Sequence, residues 1–465
     1  MKKSDELQKA KDYFSSTKGF ARLLKAMVQK YQSLGRWGGS ITLTSLKDEE
    51  REALSTLFRA DFSRQKSITI SLERFAKALE LTKFAGISAL SLLEEIQGQS
   101  LLSNSDRLAL KEQAKATFFS DLASQYTEPY CQLWLQAIIE KNPRTRSIHT
   151  AYDTRYDQLE VQMHYVLSGL TAINKRQPNE IERLPMFARR ITKDPHGFDL
   201  DSDTGRIFLQ ALKILNSQVR ESDPITLALT GAEALTELYY FFGLLRDDLW
   251  NFVTCTGITG TTADNQSLGY LAEAYRQQVT LNLPLREIIR IDRAYTTAKV
   301  VYVVENSGVY SALLDLYRDF CEEQGLQDMI PNPPLVCTHG QFKLASLLLL
   351  DKLATSNTQI YYSGDFDPEG LSMVERLLLR YPGQVIAWHY TLEDYLRSRS
   401  DQVISPQRLK QLDKVSSPEL TPLKEKLLQT TLAGYQEGIL SDLWCDVKQS
   451  MQGSSCTEAQ QCGEK

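Results

Sequence analysis

The spacing of apolar residues changes twice along this chain, and the changes mark three regions followed by a tail. Over residues 1–140 the apolar positions recur with a helical period. Leu43, Leu46 and Leu54 to Leu57 are followed by Ile70, Leu72, Phe75 and Leu79, then by the amphipathic run ISALSLLEEI (87–96). One stretch breaks the rhythm. GRWGGSITLTSL (35–46) combines glycines with a short two-residue alternation, which predicts a small hairpin or a turn within a mainly helical domain. Residues 105–140 read as helix again, with Trp134 and Ile138 on the apolar face.

Residues 141–295 form a second region in which the pattern is interrupted. PNEIERLPMFARRITKDPHGFDLDSDTGR (178–206) is rich in polar and turn-forming residues, ALTELYYFFGLLRDDL (234–249) reads as a buried helix and turn, and NFVTCTGITGTTAD (251–264) suits short strands. Helices, turns and short strands in that order predict a winged-helix-like, DNA-binding middle module.

From residue 296 the pattern becomes regular. VVYVV (300–304), LVCT (335–338), QIYYS (359–363) and QVIAW (384–388) are short apolar runs, and helical patterns separate them. Apolar strands alternating with helices predict a parallel sheet covered on both faces, over residues 296–400. Residues 401–465 read as a helical tail with a polar end. The fold class expected is therefore α/β at the C-terminal side, preceded by the middle module and the helical N-terminal domain.

Composition narrows the chemistry. At 42% hydrophobic and 24% charged residues the chain reads as globular. The opening MKKSDELQKAKDYF has lysines with no apolar run behind them, so no signal peptide is expected, and Leu344 to Leu350 is too short to span a bilayer. A cytoplasmic protein with no membrane partner is the expectation. Seven cysteines include no CxxC pair, and no two of the five histidines stand at metal-ligand spacing, which argues against zinc. Any metal would be held by carboxylates, the ligands of hard cations such as magnesium or manganese. The net charge of −5 is uneven: residues 1–36 carry nine Lys/Arg against three Asp/Glu, residues 141–193 ten against five, and residues 296–395 six against thirteen. Basic stretches upstream of an acidic module fit a metal site served by separate phosphate-binding surfaces, or else ordinary solvated helix faces.

In a parallel sheet all strands end at one edge, so Glu305, which follows the first strand, and Asp365 and Asp367, which follow the third, should meet there. Asp365 and Asp367 flank Phe366, so in extended backbone both carboxylates face one side. Pro368 suits the first turn of a helix with Asp367 as its N-cap, and Gly364 and Gly370 permit close approach of backbone and ligand. Three gathered acids raise one another's pKa unless a cation neutralises them, and magnesium meets that need.

The order VVYVVEN … LVCTHG … YYSGDFDPEG resembles the Toprim domain of topoisomerases, bacterial primases and some nucleases, most closely that of the topoisomerase VI A-subunit group. The resemblance implies that Glu305, Asp365 and Asp367 are catalytic acids and metal ligands. Two loop positions depart from the family pattern: Ser307 follows Asn306 where proline is usual, and Gln341 stands where proline is common. LPMFARRITKDPHGFDLDSDTG (184–205), RDDLW (246–250) and YQSLGRWGGSITL (31–43) are also similar to JetD, the nuclease subunit of Wadjet anti-plasmid systems. That likeness implies a homodimeric, magnesium-dependent endonuclease acting on double-stranded plasmid DNA. Its implied partners are an SMC-like motor, a kleisin and a winged-helix subunit.

Further candidates surround the acids. Glu369 is a fourth metal ligand or a favourable charge in the first helical turn. Glu437, in YQEGIL (435–440), resembles a late acidic position of the family, and Lys343 and His339, past the second strand, are candidates for DNA contact. ELYY (237–240) resembles the setting of the topoisomerase VI nucleophile, with Thr236 at the arginine position. A phenol needs activation to attack, and both tyrosines lie in an apolar helix, so water is the expected nucleophile and Tyr240 the alternative. DPHGFD (194–199) reads as a turn rather than a His196–Asp199 metal site. The remaining alternative is a DNA-binding scaffold that keeps the fold without the chemistry.

Overall fold

The computed structural model describes residues 2–177, 180–219, 231–326 and 331–462. The chain divides into two compact units, residues 1–127 with 138–140, and residues 128–137 with 141–465.

The first unit is mainly helical. Its one sheet pairs β1 (Ser40–Thr44) antiparallel with β2 (Ser67–Ser71), in register from Ser40↔Ser71 to Thr44↔Ser67. Strand β1 lies in the Gly-rich segment where a local hairpin was expected. Its partner instead comes from beyond the Asp48–Phe58 helix. Ile41, Leu43, Ile68 and Ile70 turn one face of the pair into a core with Phe14, Phe20 and Phe75, and the alternate residues stay in solvent.

The second unit begins with helices Arg146–Thr154, Tyr156–Asn174, Leu184–Thr192, Asp203–Val219 and Gly231–Phe241. Two two-residue strands, β3 (Glu182–Arg183) and β4 (Leu244–Leu245), pair in parallel beside them. The chain then supplies β5 (Phe252–Thr256), β6 (Thr259–Thr261), β7 (Leu281–Pro284), β8 (Arg293–Tyr295), β9 (Val300–Val304), β10 (Leu335–Cys337), β11 (Gln359–Ser363) and β12 (Val385–Ala387). Six of these form a mixed sheet in the order β12-β11-β9-β10-β5-β7. The four strands expected from residue 296 onward are its parallel half. Of the other two, β5 pairs antiparallel with β10 and β7 antiparallel with β5; β5 comes from the Thr-rich segment and β7 from residues 281–284, both within the expected middle module. The boundary expected at 295/296 therefore runs through one sheet. Hydrogen-bond pairing to β10 makes β5 part of the sheet although its own sequence carries little apolar signal.

The segment after residue 400 also belongs to this body. Strands β13 (Arg399–Val403) and β14 (Leu432–Gly434) pair antiparallel, and Ile404, Leu412, Leu423, Ile439 and Val447 share one buried core with Val301, Val303, Ile360 and Tyr362 of the sheet. The tail thus covers the sheet instead of hanging from it. Among the described residues no helix is long and apolar enough to cross a membrane.

Candidate active site at the sheet edge

Strands β9 and β11 are neighbours, paired from Val300↔Gln359 to Val304↔Ser363. Glu305 therefore leaves β9 beside Gly364, and the Asp365 amide points at Glu305 Oε2 across 3.5 Å. A Cβ on Gly364 would stand 2.7 Å from that same oxygen, so glycine is what lets the Glu305 carboxylate lie against the turn. Phe366, fully buried, exchanges two backbone hydrogen bonds with Gly434 of β14, of 2.9 and 3.0 Å. That bridge holds the Asp365–Phe366–Asp367 stretch extended and carries both acids to the same side. Asp367 caps the Pro368–Arg380 helix, its Oδ1 accepting from Gly370 N at 2.8 Å.

The tail completes the site. Gln436, fully buried, donates its backbone N–H to Asp365 Oδ1 at 2.9 Å, and its Oε1 accepts from Asn306 N at 3.3 Å. The Asn306 side-chain amide donates to Glu437 Oε1 at 2.6 Å, so Glu437 is brought to the acid edge as a fourth negative charge. Glu369 is placed differently. Arg408 Nε lies 3.0 and 3.1 Å from its two oxygens, Arg408 Nη2 reaches Oε2 at 2.6 Å, and Gln411 donates to Oε1 at 3.0 Å. The same guanidinium bonds Asp367 Oδ2. Glu369 is thus engaged by Arg408 and Gln411.

Electrostatics separate these carboxyls. Burial, then the charges of Asp365 and Asp367, push Glu305 up to about 7. Asp365 rises to about 6, chiefly through burial, although the Gln436 N–H opposes the shift. Asp367 is also raised by burial, with the Gly370 N–H and Arg408 opposing. Burial pushes Glu369 up as well, but the hydrogen bonds and charge of Arg408 outweigh it and hold that carboxyl below its ordinary value.

Among the described residues neither Glu305 nor Asp365 makes an ion pair, and no group of three or more His, Cys, Asp or Glu side chains stands close enough together to hold a metal ion. The donor set still fits a hard divalent cation. It offers carboxylate oxygens only, two of its acids lack a counter-charge, and magnesium keeps several waters and needs only one or two protein carboxylates.

This electrostatic arrangement predicts a pH-dependent response to metal. The folded-state pKa values of Glu305 and Asp365 lie above their unfolded values, so the stability they confer is full in acid and is lost as pH rises through about 6 and then about 7. In chelator, melting temperature should fall between about pH 5 and pH 8, and magnesium should raise it by several degrees at the upper end and hardly at the lower. Glu305→Gln should flatten both trends. Equal magnesium shifts at the two pH values would contradict a cation at these acids.

His339 and Lys343 stand on the same edge but face the antiparallel half of the sheet. The Gly340 amide donates to the Glu305 carbonyl at 3.1 Å, while the His339 ring meets Thr254 Oγ1 at 2.5 Å and the Lys343 ammonium lies 3.9 Å from the centre of the Phe252 ring. Burial, then Lys343, lowers the His339 pKa.

The two tyrosines lie elsewhere in the unit. Tyr239 is fully buried and burial pushes it up to about 12. Tyr240, raised by burial and by Asp351, lines a cleft of about 840 Å³ with Glu237, Asp351 and Arg380. Arg380 closes the 13-residue helix that begins just after Asp367, which puts about 18 Å of helix between the acid edge and that cleft. Ion pairs Arg376–Glu233 (2.8 Å) and Arg380–Glu237 (3.1 Å) fasten the tyrosine-bearing helix there. His196 and Asp199 bond each other at 2.8 Å in an exposed turn.

Glu305, Asp365 and Asp367 are therefore brought together, with Glu437 beside them. Gln436, Asn306 and Arg408 are parts of the site that the sequence pattern did not single out. Gln436 reaches Asp365 through its backbone N–H, which leaves no residue-type signature, and Arg408 reaches across from a polar segment about 40 residues away.

Two family models match the chain in tandem. Residues 37–260 match the family described as protein of unknown function N-terminus (DUF3323). Residues 281–447 match protein of unknown function C-terminus (DUF2399). The C-terminal match spans every acid of the site, from Glu305 to Glu437. No curated protein matches the chain.

Proposed function

We propose that this chain is a magnesium-dependent DNA endonuclease, the JetD-like subunit of a Wadjet-type anti-plasmid complex. The observation that carries the reading is the convergence of Glu305, Asp365 and Asp367, all largely buried and two of them without a counter-charge, at one edge of a sheet. The tandem of DUF3323 and DUF2399 supports the JetD-like assignment, since that pairing is the arrangement of the JetD subunit.

Glu305, Asp365 and Asp367 would hold the cation, which would supply positive charge against the phosphodiester and its leaving oxygen and make water a better nucleophile. The chain's own groups do the positioning. The Gln436 N–H fixes Oδ1 of Asp365 and the Gly370 N–H fixes Oδ1 of Asp367, so the acids are oriented before DNA arrives. Arg408 balances Asp367 and Glu369 without neutralising Glu305 or Asp365. His339 and Lys343 lie just past β10, the strand beside β9, and would meet the backbone phosphates of DNA laid across this edge. Cleavage of both strands calls for two such sites, hence a homodimer, and selection of small circles falls to an SMC-like motor with its kleisin and winged-helix subunits.

The test is cleavage of a small closed circle by the purified chain with those partners and magnesium. Linear product with protein-free, ligatable or 5′-labelled ends is expected, and Tyr240→Phe should retain activity within about twofold. Protein attached to a DNA end, lost in Tyr240→Phe, would replace this reading with tyrosine transesterification. An inert chain under all these conditions would leave the scaffold reading.

A further inference from the structure

The loop between β4 and β5 projects two large apolar side chains into solvent. Trp250 is 81% exposed and Leu249 61%. Single exposed apolar residues are ordinary on protein surfaces, but an adjacent Leu-Trp pair on a fixed loop is not explained by packing. The loop is fixed at both ends. Asp247 Oδ1 accepts from the amides of Leu249 (2.9 Å) and Trp250 (3.1 Å), which turns the chain tightly under the pair. The Asp248 carbonyl accepts from Arg286 N at 3.0 Å and the Asn251 carbonyl from Leu285 N at 2.6 Å, so the residues on either side of the tip are tied to one helix.

The tip's position follows from the strand register. Val304, Cys337 and Thr254 lie side by side on β9, β10 and β5, so β5 begins at the edge where β9 and β10 end. The side chain of Asn251 accepts from Ala345 N at 2.8 Å, seating the loop at the start of the Leu344–Thr355 helix. Two strand spacings across and three residues beyond the register of Glu305 put Trp250 on the order of 14 Å from Glu305, with Asp365 and Asp367 one strand further on. That is less than the width of a DNA duplex. Basic side chains flank it: Arg183 and Arg286 both approach Asp248, at 2.5 and 3.5 Å, and remain about half exposed, and Lys343 lies over the Phe252 ring just past the tip.

We infer that Leu249 and Trp250 form a wedge that enters a base step of the duplex lying across the acid edge. The flanking cations would hold phosphates, and insertion would unstack the step and bend the DNA so that a phosphate meets Glu305, Asp365 and Asp367. The inference rests on the nuclease reading and adds a shape requirement to it. Relaxed straight duplex resists the kink, whereas DNA already bent by a motor accepts it readily.

The test uses the full chain carrying Glu305→Gln, so that DNA is bound without being cut, and short duplexes with 2-aminopurine at successive positions. A rise in 2-aminopurine emission on binding is expected. Adding Trp250→Ala should remove most of that rise and weaken binding by about tenfold, whereas Trp250→Phe should keep both. With Glu305 restored, Trp250→Ala should cut a duplex containing a mismatched, already unstacked step better than a matched one. The side chain is in solvent, so the change leaves the core intact. DNA bound with no unstacking in any duplex overturns the wedge alone. Unstacking that survives Trp250→Ala, with loss only of activation by the partner proteins, makes the tip a protein-docking point and also overturns it. No binding to DNA at all overturns the wedge together with the nuclease reading.

Discussion

Asp365→Asn is expected to lower magnesium-dependent DNA cleavage on the order of a thousandfold, equivalent to about 4 kcal/mol of barrier, while leaving the protein at least as stable as before. The two parts of this expectation have one cause. Asparagine keeps an Oδ1 acceptor for the Gln436 N–H, so the tail stays closed over the site. What disappears is a carboxylate whose charged form is disfavoured by burial and by neighbouring acids, as its rise to about 6 records. Removing it relieves repulsion in the metal-free protein and deprives the cation of a ligand. Melting temperature in chelator at pH 8 should therefore be unchanged or higher, and the magnesium-induced rise should vanish. Asp365→Ala is a poorer probe, because it also leaves a buried amide without its acceptor. A circle-cleavage assay run beside the melting curves separates the outcomes. Full cleavage by Asp365→Asn would end the case for this edge as the active site.

The parallel half of the sheet was legible because each strand is a short β-branched or aromatic run bounded by polar turns. Glu305, Asp365 and Asp367 were legible because strand ends in such a sheet share an edge whatever their separation in sequence. The antiparallel half was not. In β5 the residues are Phe-Val-Thr-Cys-Thr, and its place beside β10 depends on backbone pairing and on Thr254 meeting Asn282 and His339, which local periodicity cannot carry. Of the residues after 400, Glu437 was anticipated through the resemblance, but the main-chain contacts around it were not. Gly434 bridges Phe366 and Gln436 binds Asp365 through main-chain atoms, so nothing in the identity of either residue announces the contact. Glu369 shows the converse. Its charge suited both a ligand and a helix start, and a distant arginine decides how it is used.

Gly370→Ala should destabilise the protein by about 3 kcal/mol and reduce cleavage at least about a hundredfold, although alanine ordinarily favours a helix over glycine by about 1 kcal/mol. The sign reverses because of what lies above this glycine. A Cβ there would stand 2.0 Å from the Asp365 carbonyl oxygen, a backbone atom with no rotamer to yield. The Gly370 N–H is also the donor that the capping Asp367 side chain accepts from. Relief would require the first helical turn to move away from the strand end, displacing Asp365 and Asp367 together by an appreciable fraction of an ångström and loosening the Phe366–Gly434 bridge. Gly269, at the start of the Gly269–Arg276 helix, is the matched control, since nothing lies within 4 Å of a Cβ built on it. Gly269→Ala should be neutral or mildly stabilising and fully active. Urea denaturation and circle cleavage of the two variants provide the comparison. If Gly370→Ala behaved like Gly269→Ala, the tight turn would not be what aligns the two aspartates.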